Sequence, residues 1–156
     1  MKKTILVSAC LMLSACSNTA TPEKQGAANK SDDAAIRQIL KDITVSNSPA
    51  QMSAAFADDA EWIIVGHAPY KGRAAIEKGI AALSVPGNKV VFESLDTKEV
   101  ILLSDHQALA KSVAIYHMEI NGKAEPSKRN EFADYFVKSA DGKWQIAYEI
   151  NSDSNG

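Results

Sequence analysis

The chain has little sulfur and few histidines, and what it lacks removes most chemistries. Its two cysteines, Cys10 and Cys16, both lie in the first sixteen residues. The rest of the chain has no thiol for a disulfide, a thiolate metal site or a nucleophile. The three histidines, His67, His106 and His117, stand at least ten residues apart, with no HExxH or HxH pattern, so no metal site and no cofactor is expected. There is no Walker loop, no dinucleotide fingerprint and no nucleophile elbow. Positive charge is not in excess: net charge is −2, and nucleic acid is not an expected partner. At 156 residues with 46% hydrophobic and 23% charged content, the chain suits one packed domain.

No apolar run is long enough to span a bilayer, which takes about twenty residues. A shorter one opens the chain. Met1-Lys2-Lys3 is a basic start, Thr4–Leu13 is apolar, and Leu13-Ser14-Ala15-Cys16 follows. This resembles the bacterial lipobox, in which the chain is cut before the cysteine and the cysteine is lipidated. The resemblance implies a signal peptide at 1–15, a lipid on Cys16 and attachment to a membrane of the bacterial cell envelope. Ser17 after the cysteine favours the outer membrane, facing the periplasm. The alternative is an ordinary secretory signal cut after Ala15. Loss of residues 1–15 would leave 15 basic against 19 acidic side chains. Residues 16–31 have no bulky apolar side chain and read as a tether reaching about 20 Å. The domain is then 32–156.

Within it, Asp32 and Asp33 suit a helix start. Ile36, Ile39, Leu40 and Ile43 form one stripe, with a helix end near Val45. Ser48-Pro49-Ala50-Gln51 is a capping box with Pro at the first helical position. Phe56 closes this short helix, and Asp58-Asp59 are expected as its stopping turn. Ala60–Val65 reads as a strand apolar on both faces. Gly66–Tyr70 reads as loop, and Gly72 opens a helix striped by Ile76, Ile80 and Leu83. Four long strands follow: Lys89–Leu103, bent; Ala108–Ile120, with Ala108, Ala110, Ser112 and Ala114 on one face; Glu131–Lys138; and Trp144–Asn151. Asn121-Gly122 and Asp141-Gly142 mark turns. The order α-α-β-α-β-β-β-β gives an α+β fold, a curved antiparallel sheet wrapped around N-terminal helices as a cone-shaped barrel.

FADDA at 56–60, GRAAI at 72–76 and DGKW at 141–144, in that order and spacing, resemble the nuclear-transport-factor-2-like superfamily in its SnoaL-like or steroid-isomerase-like branch. The resemblance covers roughly 32–152 and implies a conical cavity. In the isomerases it places a carboxylate base at the position of Ile64, a tyrosine donor at Leu40 and a protonated carboxyl at Asp134. Only the last is polar here, and an isoleucine cannot abstract a proton. The phase that turns Ile64 inward also turns Trp62, Asp134, Glu149 and Asn151 inward, with Phe132 and Phe136 in the phase of Asp134. Tyr70 stands near the mouth.

These residues frame the expected site. Asp134, Glu149 and His67 are candidate acid–base groups, and Trp62, Ile64, Tyr70, Phe132, Phe136 and Asn151 are candidate walls. Lys71-Gly72-Arg73 reads as a helix start with solvated charges, and His106 as a turn residue. His117 reads as a surface or interface residue. The favoured expectation is a membrane-tethered binding or accessory domain for a small apolar ligand. The alternatives are an acid–base enzyme using Asp134 with Glu149 or His67, and an interaction module. A homodimer through the sheet face of Leu109, Val113 and Ile115 is expected in each case.

Overall fold

Turns at Asp105-His106, Asn121-Gly122 and Asp141-Gly142 fold the second half of the chain back and forth into a sheet. Asn121 (φ 52°) and Gly122 (φ 77°) both sit in the left-handed region, which this tight turn demands and which few other residue pairs tolerate. The computed structural model describes residues 22–46, 48–84 and 86–154. The expected signal segment, Cys16 and the first part of the tether lie outside the described residues. In chain order the elements are α1 (Pro22–Val45), α2 (Pro49–Ser53), β1 (Phe56–Ile64), β2 (Tyr70–Lys71), α3 (Arg73–Leu83), β3 (Asn88–Ser104), β4 (Gln107–Ile120), β5 (Lys123–Ala124), β6 (Lys128–Lys138) and β7 (Trp144–Ser154).

The strands form one open, curved sheet in the order β2-β1-β7-β6-β4-β3, with β5 appended to β4. The fold is α+β. All neighbours are antiparallel except β1 and β7, which run parallel and register Trp62 with Glu149 and Ile64 with Asn151. The curvature has a local cause. Against β4, β3 breaks register at Phe92/Ser94, Thr97/Glu99 and Leu102/Ser104. Each extra residue bends the strand and adds right-handed twist.

The helices cover the inner face. Ile36 and Leu40 of α1 and Ile76 and Ile80 of α3 are buried with Phe136, Ile146 and the small side chains of Ala108 and Ala110. Each fully buried large aliphatic or aromatic side chain contributes about 1.5–3 kcal/mol through removal from water. On β4 the burial alternates from Ala108 to Ala114, as the sequence alternation expects.

Four details differ from the sequence reading. First, α1 begins at Pro22, ten residues before Asp32. Asp32 therefore caps nothing. Its carboxylate accepts hydrogen bonds from Lys138 Nζ (2.9 Å) and Trp144 Nε1 (2.9 Å), pinning α1 to the far ends of β6 and β7. Burial alone would raise this carboxyl, but the bonds from Trp144 and Lys138 outweigh it and hold Asp32 below its ordinary value. Second, Asp58 and Asp59 lie inside β1 rather than in a helix-stopping turn. They are exposed at a register break between Phe56 and Glu61, where β1 detaches from β7. Asp58 meets Arg73 Nη1 at 2.9 Å, and Arg73 Nε donates to the Phe56 carbonyl at 2.8 Å. Third, Tyr70 and Lys71 pair with β1 as a two-residue strand, and Val65, just past β1, is 62% exposed. Fourth, Lys123–Ala124 forms a short added strand before β6, which begins at Lys128. Ser48 caps α2 as its sequence suggests, its Oγ accepting from Gln51 N at 3.2 Å.

Candidate functional site

One extra residue in β7 creates the site. Trp144 and Ile146 point inward in simple alternation, which would also turn Tyr148 inward. The register with β6 breaks at Tyr135/Phe136, so that Tyr135 faces Tyr148 while Phe136 faces Ile146. Ala147 is the inserted residue. Beyond it the phase is reversed, and Glu149 and Asn151 are the buried positions.

The registers then assemble rows across the inner face. Tyr70, Trp62, Glu149, Asp134 and Ala110 form one row from β2 to β4. Ile64, Asn151, Phe132, Ser112 and Thr97 form the next. A cavity of about 620 Å³ lies against these rows and beneath α1, α2 and α3. Its walls include Leu40, Ile43, Met52, Trp62, Ile64, Tyr70, Leu95, Tyr116, Met118 and Phe132. Glu149, Asn151, Ser112 and Asn130 bring polar groups to it, and His67, Lys89 and Lys128 also line it. Tyr70 stacks on Trp62 with ring centroids 5.1 Å apart. Gly79 of α3 makes room for this pair, since a Cβ there would come within 2.7 Å of the Tyr70 ring.

Glu149 is 7% exposed, and its Oε1 accepts from Asn151 Nδ2 at 3.4 Å. No cation pairs with it among the described residues. Burial pushes the carboxyl up to about 7, while Asp134, Asn151 and Trp62 pull in the opposite direction. Asp134 is 1% exposed, and among the described residues its oxygens have no hydrogen-bonding neighbour other than the Glu149 carboxyl. Burial first, and the Glu149 charge second, hold it well above the usual carboxylate range. Two neighbouring buried acids cannot both ionise cheaply, so near neutrality the pair retains a proton.

The structure thus brings Trp62, Ile64, Tyr70, Phe132, Glu149, Asn151 and His67 to one cavity. It keeps two expected residues off the wall. Asp134 is enclosed beside Glu149, and Phe136 is fully buried in the solid core against Ala108 and Ile146. Both share the inward phase, but Phe136 lies in the next row toward the core, level with Ala108 and Ile146, and Asp134 is enclosed within its own row between Glu149 and Ala110. His67 is exposed, and only its backbone is fixed, donating to the Ile64 carbonyl at 2.9 Å. His117 lies on the other face, with Nδ1 2.8 Å from Glu93 Oε1, and Ser127 Oγ donates to the same carboxylate at 2.6 Å. The Ser127 bond, then the His117 bond, hold Glu93 below its ordinary value. Among the described residues no group of His, Cys, Asp and Glu could hold a metal, and no helix is long and apolar enough to cross a membrane.

Sequence reasoning passed over Asn130, whose Oδ1 is buried without a partner among the described residues. Asn130 shares the phase of Phe132 and falls one residue before the expected start of that strand.

No family model matches the chain, and no curated protein matches it by sequence. Solved structures do. A ketosteroid isomerase-like protein from Erwinia carotovora atroseptica aligns at TM-score 0.68 and 19% identity, covering 80% of this chain and 94% of its own. A protein from Novosphingobium aromaticivorans with the nuclear-transport-factor-2-like, cystatin-like fold gives TM-score 0.67 at 20% identity over 88% and 93%. A hexachlorocyclohexane dehydrochlorinase from Novosphingobium barchaimii gives 0.72 at 14% over 83% and 90%. The chain has the nuclear-transport-factor-2-like fold. That fold is shared by enzymes and by proteins of unknown function, so it does not by itself assign one.

Proposed function

We propose that the chain is a lipoprotein of the bacterial cell envelope whose domain binds a small, largely apolar molecule. The observation that carries the binding reading is the cavity itself: about 620 Å³, with aromatic and aliphatic walls and a few convergent polar groups around Glu149. Small-molecule sites have this size and this composition. The accessory, non-catalytic form of the reading is favoured by Ile64 and Leu40. Both line the cavity at the positions where the steroid-isomerase resemblance calls for a base and a tyrosine. The test is a metabolite and lipid panel followed by melting temperature. A ligand at a hundred times its Kd stabilises the folded state by about 2.7 kcal/mol. A panel that leaves the melting temperature unmoved, with a cavity that admits no probe, would contradict the proposal.

A second reading is favoured by one observation: Glu149 faces the cavity with a pKa of about 7. That value suits a general acid or base at neutral pH. Once a bound molecule is known, Glu149→Gln separates the two. Loss of turnover with retained binding supports an enzyme, and unchanged chemistry, or none in either protein, supports a binder.

The envelope assignment rests on Leu13-Ser14-Ala15-Cys16. Cys16→Ser should release the protein from the membrane fraction, and continued attachment would refute the lipid anchor. Pairing into a homodimer is favoured by the outer sheet face, where Leu109, Ile101 and Ile150 are 38%, 37% and 38% exposed. Sedimentation of the Cys16→Ser chain should give twice the monomer mass, and Leu109→Lys should halve it.

A further inference from the structure

The cavity is electrically lopsided. Among the described residues, every lining side chain able to carry positive charge stands at one end of it: His67, Lys89 and Lys128. The one lining carboxyl, Glu149, stands at the other. Strand pairing fixes these ends. The ends of β1, β4 and β7 meet the starts of β3 and β6 at the first end, close to the ends of α1 and α3. Exposed His67, Leu83, Ser84, Lys89 and Lys128 mark it as the end open to water. The cationic rim stands out because the chain as a whole has a net charge of −2.

Lys128 is the anchor of that rim. It shares the inward phase of β6 with Phe132 and registers with Tyr116, which registers with Phe92. Lys128 is exposed, and among the described residues it forms no ion pair. Lys89 is registered with Glu119 in the outer phase and adds charge to the rim from the side. Inward from Lys128 come Leu95, then Phe132 and Ile64, then Glu149 and Trp62. Four residues of strand from Lys128 to Phe132 span about 13 Å, and six to the Glu149 level about 20 Å. A molecule lying along this path meets a cation, then an apolar interval, and last an acid. A negative group at the Glu149 level would face a like acid away from water, where repulsion is strong. At the rim it meets Lys128 instead, and an ammonium there would be repelled.

Resting on the small-molecule reading above, we infer that the cavity takes an anionic amphiphile, its charged head at the rim beside Lys128 and its apolar body running inward against Leu95, Phe132 and Ile64. A lysine ammonium is a point charge without the fork geometry that selects one oxyanion, so a carboxylate or a phosphate head suits it equally. Decanoate is the simplest probe of this chemistry.

The test is calorimetric titration of the full chain carrying Cys16→Ser, at neutral pH and low salt, with decanoate, decanol and decylammonium. Decanoate is expected to bind about fivefold or more tightly than decylammonium, and to lose most of that margin in high salt, which screens an exposed charge. Lys128→Gln should weaken decanoate about fivefold, the size of one exposed ion pair, and leave decanol nearly unchanged. Lys89→Gln should weaken decanoate by less. Lys128→Glu should reverse the order and place decylammonium above decanoate. Lys128 is exposed, so these changes leave the core intact. Decylammonium bound as tightly as decanoate, or decanoate affinity unmoved by Lys128→Gln, overturns this inference, while decanol binding in the same series leaves the pocket reading intact. If none of the three binds, the pocket reading falls with it.

Discussion

Replacing Glu149 with glutamine should stabilise the protein, and should do so only above weakly acidic pH. The carboxyl titrates near 4.5 when solvated and near 7 in the fold, chiefly because burial penalises its charge. The folded state therefore holds this proton more tightly than the unfolded chain. Between about pH 4.5 and 7, stability falls as pH rises, and above 7 the loss is complete. A shift of this size corresponds to roughly 3 kcal/mol. Asp134, raised for the same reason, contributes in the same direction. Glutamine keeps the shape, cannot ionise and can still accept from Asn151. At pH 5 the two proteins should unfold within about 1 kcal/mol of each other. At pH 8 the Glu149→Gln variant should be more stable by up to about 3 kcal/mol, or roughly 10 °C in melting temperature for a domain of this size. Urea denaturation of the Cys16→Ser chain and its Glu149→Gln derivative at both pH values measures the difference directly. A variant that is equally stable or less stable at pH 8 would mean that Glu149 is solvated or paired in solution, and the acid-pair description of the site would fail.

Three other perturbations probe how the fold frames that site. Asp32→Ala leaves Lys138 and Trp144 Nε1 without their shared acceptor, and should cost about 1–3 kcal/mol in chemical denaturation. Because Asp32 is held below its ordinary pKa, its contribution is present above the unfolded carboxyl pKa and fades as pH falls through the folded value, so the penalty should shrink in acid. Gly79→Ala drives a methyl to within 2.7 Å of the Tyr70 ring, and should cost about 1–3 kcal/mol and alter the near-ultraviolet signal of the stacked Trp62–Tyr70 pair. An unchanged spectrum would show that the pair is not held by this contact. Ser48→Ala removes the α2 cap and should cost about 1 kcal/mol in the same denaturation experiment.

Periodicity carried the α+β order because the stripes of α1 and α3 and the alternation of β4 are each set by a single face of burial. It also placed Glu149 and Asn151 inward, since the β-phase of Ile64 extends across a registered sheet. What remained hidden depends on pairing between distant segments. The parallel β1–β7 contact has no local signature, and neither does the Ala147 insertion that lets Trp144 and Ile146 share the inward face with Glu149 and Asn151. Asp58-Asp59 looks like a turn by composition, yet Arg73 meets Asp58 from α3 and holds the segment at a register break. Asp134 and Phe136 share the inward phase with the true wall residues, but phase cannot say how deep the helices seat. Asp32 reads as a cap because its partners, Lys138 and Trp144, are more than a hundred residues away.

The central claim is that the cavity walled by Trp62, Ile64, Phe132 and Glu149 holds a small, largely apolar ligand. Its most direct measurement is the electron density there in crystals grown with the molecule from the metabolite and lipid panel that raises the melting temperature most. The expected result is one continuous feature against Ile64 and Phe132 that reaches the Glu149 level of the cavity. A cavity filled only by separate waters, or closed by inward movement of α1, would contradict it.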